Sequence, residues 1–153
     1  PVIVEPTSNL PNQFEQLGAR SDNAALLEEA GVDVIISGFS THNARNLRQQ
    51  AGNAVRAGLS HEAALEAVTL APARAAGMSQ THGSLDAGKI ANVVVWSGDP
   101  FELSTDVEKL YIRGEEMSLD HRQQRLFERY RELEDRSEPA APAASDDGRR
   151  ESD

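Results

Sequence analysis

The side chains best placed to do chemistry fall in residues 37–45, Ser-Gly-Phe-Ser-Thr-His-Asn-Ala-Arg. They follow a β-branched run at 32–36 that reads as a strand. His42, just past that strand, can serve as a metal ligand, a general base or a substrate contact. It equally suits a loop, with Asn43 capping the next helix. Arg45 and Arg48 can grip an anionic group bidentately, or form surface ion pairs. Glu5 ends the strand-like Val2-Ile3-Val4 and is either a pocket carboxylate or an ion-pair partner for a nearby arginine. His61, His82 and His121 stand far apart, and no HExxH occurs, so each is read as structural. Residues 83–89 have the spacing of a phosphate loop. However, Ile90 replaces the required Ser or Thr and a strand follows instead of a helix, so that reading is rejected.

The surrounding elements alternate. A strand at 2–4 runs through a polar loop into a helix around Leu26-Leu27, with Asp22 or Ser21 as its cap and Gly31 as its stop. The strand at 32–36 leads to a helix over 43–57. This βα alternation is that of a parallel sheet. Next come a helix around 63–68, a short helix in which Pro72 suits the first position, and a stop at Gly77. Residues 90–96 read as a strand buried on both faces, with Trp96 as a packing residue. A further strand spans 107–113. A charged helix over 120–136 places Leu126, Tyr130 and Leu133 on one stripe. Residues 137–153 contain no hydrophobe larger than Ala and are expected to be disordered.

The ordered set Thr69, Pro72, Ala73, Arg74, Gly77, Gly83, Ser84, Leu85, Gly88, Lys89, Ala91 and Val93-Val94-Val95 resembles the C-terminal signature of the amidohydrolase superfamily. Asn92 stands where that signature usually has Asp. The run from His42 to Gln49 is most similar to the imidazolonepropionase-like branch. The resemblance implies an α/β fold: the C-terminal portion of a (β/α)8 TIM-like barrel plus part of a small β-sandwich, with a helical and disordered tail. Residues 1–78 would hold the last two βα units and the following helices. Residues 79–118 would hold sandwich strands, 119–136 the charged helix and 137–153 the tail. A whole barrel takes about 250 residues. With 153 residues, a start at Pro1 and no initiator Met, the chain is expected to be a C-terminal fragment.

The resemblance further implies a metal-dependent hydrolase that acts on carbon–nitrogen bonds other than peptide bonds through metal-activated water. A divalent metal, with zinc the expected ion, belongs to the full-length family. The eighth strand of such enzymes ends in a metal-binding Asp. Its counterpart here is Phe39, or Ser40 in the neighbouring register, and neither can act as a carboxylate base. The fragment alone is therefore expected to be inactive and to bind no metal. The candidates for the pocket rim are His42, Asn43, Arg45, Glu5 and Asn9, the last because the equivalent loop in relatives lies over the pocket. The alternative is a non-catalytic relative that acts as a binding or scaffold protein. Expected partners are the N-terminal part of the same protein and a small-molecule substrate, and a homo-oligomer is left open.

Composition narrows the partners. A net charge of −10 disfavours nucleic acid and anionic membranes. The absence of Cys removes disulfides and thiolate metal ligands from these residues. No apolar run approaches membrane-spanning length. Nothing in the sequence fixes the compartment.

Overall fold

The computed structural model describes residues 1–38, 41–120 and 122–134, and the backbone alone at 41, 43 and 132–134. Pro1–Ser118 forms one compact unit. Strands β1 (Val2–Val4) and β2 (Val34–Ile36) pair in parallel, with Val2 opposite Val34 and Val4 opposite Ile36. A parallel pair needs a crossover, usually helical, and α1 (Asn23–Glu29) supplies it. The Asp22 side chain does not cap α1 as expected. Instead its carboxylate accepts two bonds from Arg20, at 2.8 and 2.5 Å. The stop is as expected. Gly31 takes φ +74, its N–H donates to Glu28 O, and Val32 N donates to Leu27 O, closing a Schellman motif. That motif consumes Val32, so β2 is shorter than the predicted strand.

The helix expected over 43–57 begins later. Thr41–Asn46 is a 3-10 segment, and α2 runs from Leu47 to Arg56. Helix α3 (His61–Val68) starts at Ser60, whose Oγ accepts from Ala63 N at 3.2 Å. Helix α4 (Leu70–Ala75) carries Pro72 as its third residue, still in the first turn, where its missing N–H has no intrahelical partner to lose. The core between these helices and the parallel pair is built from small residues. Ala51, Ala54, Ala64 and Ala67 are buried beside Val4, Val34 and Ile36.

The second sheet is antiparallel, in the order β3 (Val93–Trp96), β4 (Val107–Ile112), β5 (Glu115–Met117). It corrects the expectation of a strand buried on both faces, because Val94 and Val95 are 39% and 38% exposed. An antiparallel sheet can leave one face open, which a parallel one rarely does. Strand β5 was not anticipated. Its two-residue turn, Arg113-Gly114, has φ +55 and +84, the pattern of a type I′ hairpin. Asn92 Oδ1 accepts from Arg113 N at 2.9 Å, so the amide keeps an acceptor where the family signature has a carboxylate.

Residues 119–153 form a separate unit, whose described part contains α5 (Arg122–Glu134). Phe127 and Tyr130 are exposed on α5, and the Arg131 guanidinium lies 5.9 Å from the Phe127 ring centroid. The tail at 137–153, expected to be disordered, lies outside the described residues.

Gly83 shows why the turn after α4 needs glycine. Its φ is +91, and a Cβ there would lie 2.8 Å from Ala73 Cβ and 2.9 Å from Leu70 Cα. Gly88 has φ +90 but open space around it. Gly83→Ala is therefore expected to cost about 2 kcal/mol or more, from strain plus overlap, and Gly88→Ala about 1 kcal/mol from strain alone. Denaturant midpoints of the two variants check this ordering.

Candidate functional site

The parallel pair sends both of its following segments out at the same end. Ser37 N donates to Val4 O at 2.9 Å, so the two chains leave side by side. After β1 comes Glu5 and a 3-10 turn, Pro6–Ser8. After β2 come Ser37, Gly38 and the segment Thr41–Asn46. Phe39 and Ser40, the counterparts of the expected Asp, lie outside the described residues.

The rim candidates divide into two groups. Glu5 is half-buried beside the β1 turn. It forms no ion pair among the described residues, so the arginine partner expected for it is not found. Asn9 closes the same turn, and its Nδ2 donates to Arg20 O at 2.7 Å. His42 and Arg45 are exposed in the 3-10 segment before α2. Asn43 lies in that segment too, and its side chain is outside the description. Asn46, not Asn43, precedes the α-helix proper.

Arg48 turns away from the rim. Its Nη1 donates to Thr105 O at 2.8 Å, and its guanidinium sits 5.1 Å from the centroid of Trp96. It ties α2 to the β3–β4 connection instead of offering itself to an anion. One turn later, a Cβ on Gly52 would lie 2.9 Å from Phe101 O, so the same connection approaches the helix backbone closely.

Two clefts flank α2. One of about 510 Å3 is lined by Arg56, His61, Asp99 and Phe101 among others. A second, of about 460 Å3, is lined by Thr7, Leu10, Ser21 and Arg56 among others. Neither lining includes His42 or Arg45. In the first cleft His61 Nε2 lies 3.0 Å from Asp99 Oδ2, and the rings of His61 and Phe101 are 5.0 Å apart. The sequence reading takes His61 as structural and does not reveal this pairing. The signal it could have used is Asp99-Pro100 after a strand, a turn in which Asp accepts from the backbone two residues on. Asp99 Oδ1 indeed accepts from Phe101 N at 2.9 Å.

The chain matches the model of the amidohydrolase family over residues 12–117. It belongs to the amidohydrolase family. An amidohydrolase from Hapsidospora irregularis is 32% identical over 98 residues, which cover 64% of this chain and 10% of that protein. The imidazolonepropionase of Pseudomonas fluorescens Pf-5 is 46% identical over 57 residues, covering 34% of this chain and 14% of the enzyme. Among solved structures, an amidohydrolase from Thermotoga maritima aligns with TM-score 0.69 and 32% identity, covering 77% of this chain and 31% of that one. An adenosine deaminase from Xanthomonas campestris with bound zinc aligns at TM-score 0.56 and 21% identity, covering 88% and 36%, a likeness of fold. The chain thus spans a small part of the curated relatives and about a third of these structures.

Amidohydrolases are generally metal-dependent, yet the described residues do not by themselves fit a metal. Among the described residues no three His, Cys, Asp or Glu side chains come together to hold an ion.

Two donors, Phe101 N and the His61 ring, stabilise the Asp99 carboxylate and hold its pKa below the ordinary value. A depressed carboxylate pKa adds stability above the unfolded value of about 3.9, lost as pH falls through the lower folded value. The stability gap between wild type and Asp99→Asn is therefore expected to shrink as pH falls below about 4. Denaturant midpoints measured against pH check this.

Proposed function

We propose that this chain is the C-terminal part of an amidohydrolase that hydrolyses a carbon–nitrogen bond, other than a peptide bond, in a small-molecule substrate. The observation that carries the proposal is the family match over 12–117 laid on a parallel β–α–β unit whose two outgoing segments share one end. In this reading β1 and β2 are the last two strands of a (β/α)8 barrel within residues 1–78. The antiparallel sheet in 79–118 belongs to a small β-sandwich. The remaining strands come from the N-terminal part of the same protein.

Active sites of such barrels sit at the C-terminal ends of the strands. In this reading Glu5, Asn9, His42, Asn43 and Arg45 lie on the pocket side. Exposed His42 and Arg45 would contact a polar or anionic substrate group, Arg45 through its planar fork. Glu5 and Asn9 would line the neighbouring edge. A divalent ion, if the whole enzyme uses one, would need ligands beyond the residues described here, so no step is assigned to it. The similarity to imidazolonepropionases favours a cyclic amide or a dipeptide-like substrate.

A second reading is favoured by one specific observation. Phe39 and Ser40 stand where the family pattern calls for a carboxylate, and no carboxylate there can take the proton of an attacking water. The protein would then bind small molecules without turnover. Assays of the whole protein on cyclic and N-acyl amides separate the two. The catalytic reading expects turnover, with His42→Ala or Arg45→Ala lowering kcat/KM about tenfold or more, roughly 1.4 kcal/mol, at an unchanged unfolding midpoint. Binding without product release would overturn it in favour of the second.

A further inference from the structure

The one polar side chain buried on α2 points toward the pocket side. Gln50 is 8% exposed. Its Oε1 accepts from Thr7 N at 3.0 Å and from Thr7 Oγ1 at 2.8 Å. A buried amide oxygen that takes both donors of one residue is fully used, and leaving it unpaired would cost stability. The turn it grips is short. Ser8 N donates to Glu5 O at 3.1 Å and Asn9 N to Pro6 O at 3.4 Å, a long contact. A 3-10 turn of three residues, with such geometry, is weak on its own. Asn9 secures the far end through Arg20 O. Three side-chain bonds therefore hold the turn, of which the two to Gln50 are part-buried and the one from Asn9 is exposed.

The opposite side of α2 is fastened as well. Arg48 and Gly52 are four residues apart and share a helix face. That face meets Thr105 and Phe101 of the β3–β4 connection. Gln50 lies between them in sequence and roughly opposite around the helix. Helix α2 is thus fixed to the second sheet on one side and carries the β1 turn on the other. Its N-terminal extension is the segment bearing His42 and Arg45.

We infer that Gln50 is a positioning residue of the pocket side. From a helix anchored independently, it sets the Pro6–Ser8 turn, and with it Glu5 and Asn9, in register with the segment bearing His42 and Arg45. The functional sense of this rests on the proposed reading that this end is the pocket. The positioning itself does not.

Amide hydrogen exchange on the whole protein, comparing wild type with Gln50→Leu and Gln50→Glu, tests it. Ser8 and Asn9 amides make no bond to Gln50, so they report the turn and not the bond. In Gln50→Leu they are expected to exchange at least tenfold faster, while Val34–Ile36 and Ala51 amides stay at wild-type rates. Gln50→Glu keeps both acceptor bonds and is expected to restore Ser8 and Asn9. Faster exchange confined to the Thr7 amide would overturn the inference, as would equal acceleration throughout the core or no change anywhere. Each of these results stands whether or not the whole protein hydrolyses an amide.

Discussion

The parallel pairing of Val2–Val4 with Val34–Ile36 is the constraint on which the rest of Pro1–Ser118 depends. Three residues a side is little, and parallel ladders are slightly weaker per residue than antiparallel ones. The pair persists because β2 is buried, with Val34, Ile35 and Ile36 all inside, as is Val4 at the end of β1. Full burial of a Val or Ile contributes about 1.5–3 kcal/mol. What covers Val34 and Ile36 is a layer of alanines. With Ala51, Ala54, Ala64 and Ala67 almost fully buried, α2 and α3 lie close against the strands without large side chains to separate them.

From that packing follows the central part of α2. A helix pressed on a sheet through alanines has little freedom to rotate, so its other faces can serve as fixed points. Arg48 and Gly52 receive the β3–β4 connection, and Gln50 receives the turn after β1. The His61–Asp99 contact and the Phe101 ring add a second attachment of the same connection at the start of α3. The polar bonds here do more than stabilise. They relate two sheets and two outgoing segments to one helix.

Much of this was legible in the sequence, for local reasons. Gly31 marked the end of α1 because only a residue tolerant of positive φ closes a Schellman motif readily. The glycines at 77, 83 and 88, part of the family signature, stand where the backbone takes positive φ. What escaped depended on partners distant in sequence. Gln50 looks like any helix-surface glutamine until Thr7, 43 residues away, is placed beside it. Arg48 looks like an anion binder until Thr105 and Trp96 arrive. Strand β5 is short and wholly exposed, with no apolar alternation to reveal it. Val94 and Val95 read as doubly buried because a run of valines carries no information about what faces it.

The pair also has outer edges. Val2 N and Val4 O both engage β2, so the Ile3 amide points to the other side of β1. By the same alternation the Val34 and Ile36 amides point away from β1. Ile3 is 54% exposed, although it sits in the middle of an apolar strand. If these strands are the last two of a closed barrel, further strands must pair with both edges, because closure leaves no edge free. Residue-resolved hydrogen exchange of the whole protein tests this most directly. The account predicts that the Ile3, Val34 and Ile36 amides are protected about as strongly as those of Val2 and Ser37. Rapid exchange at these three, with Val2 and Ser37 protected, would contradict it and leave an open two-stranded pair.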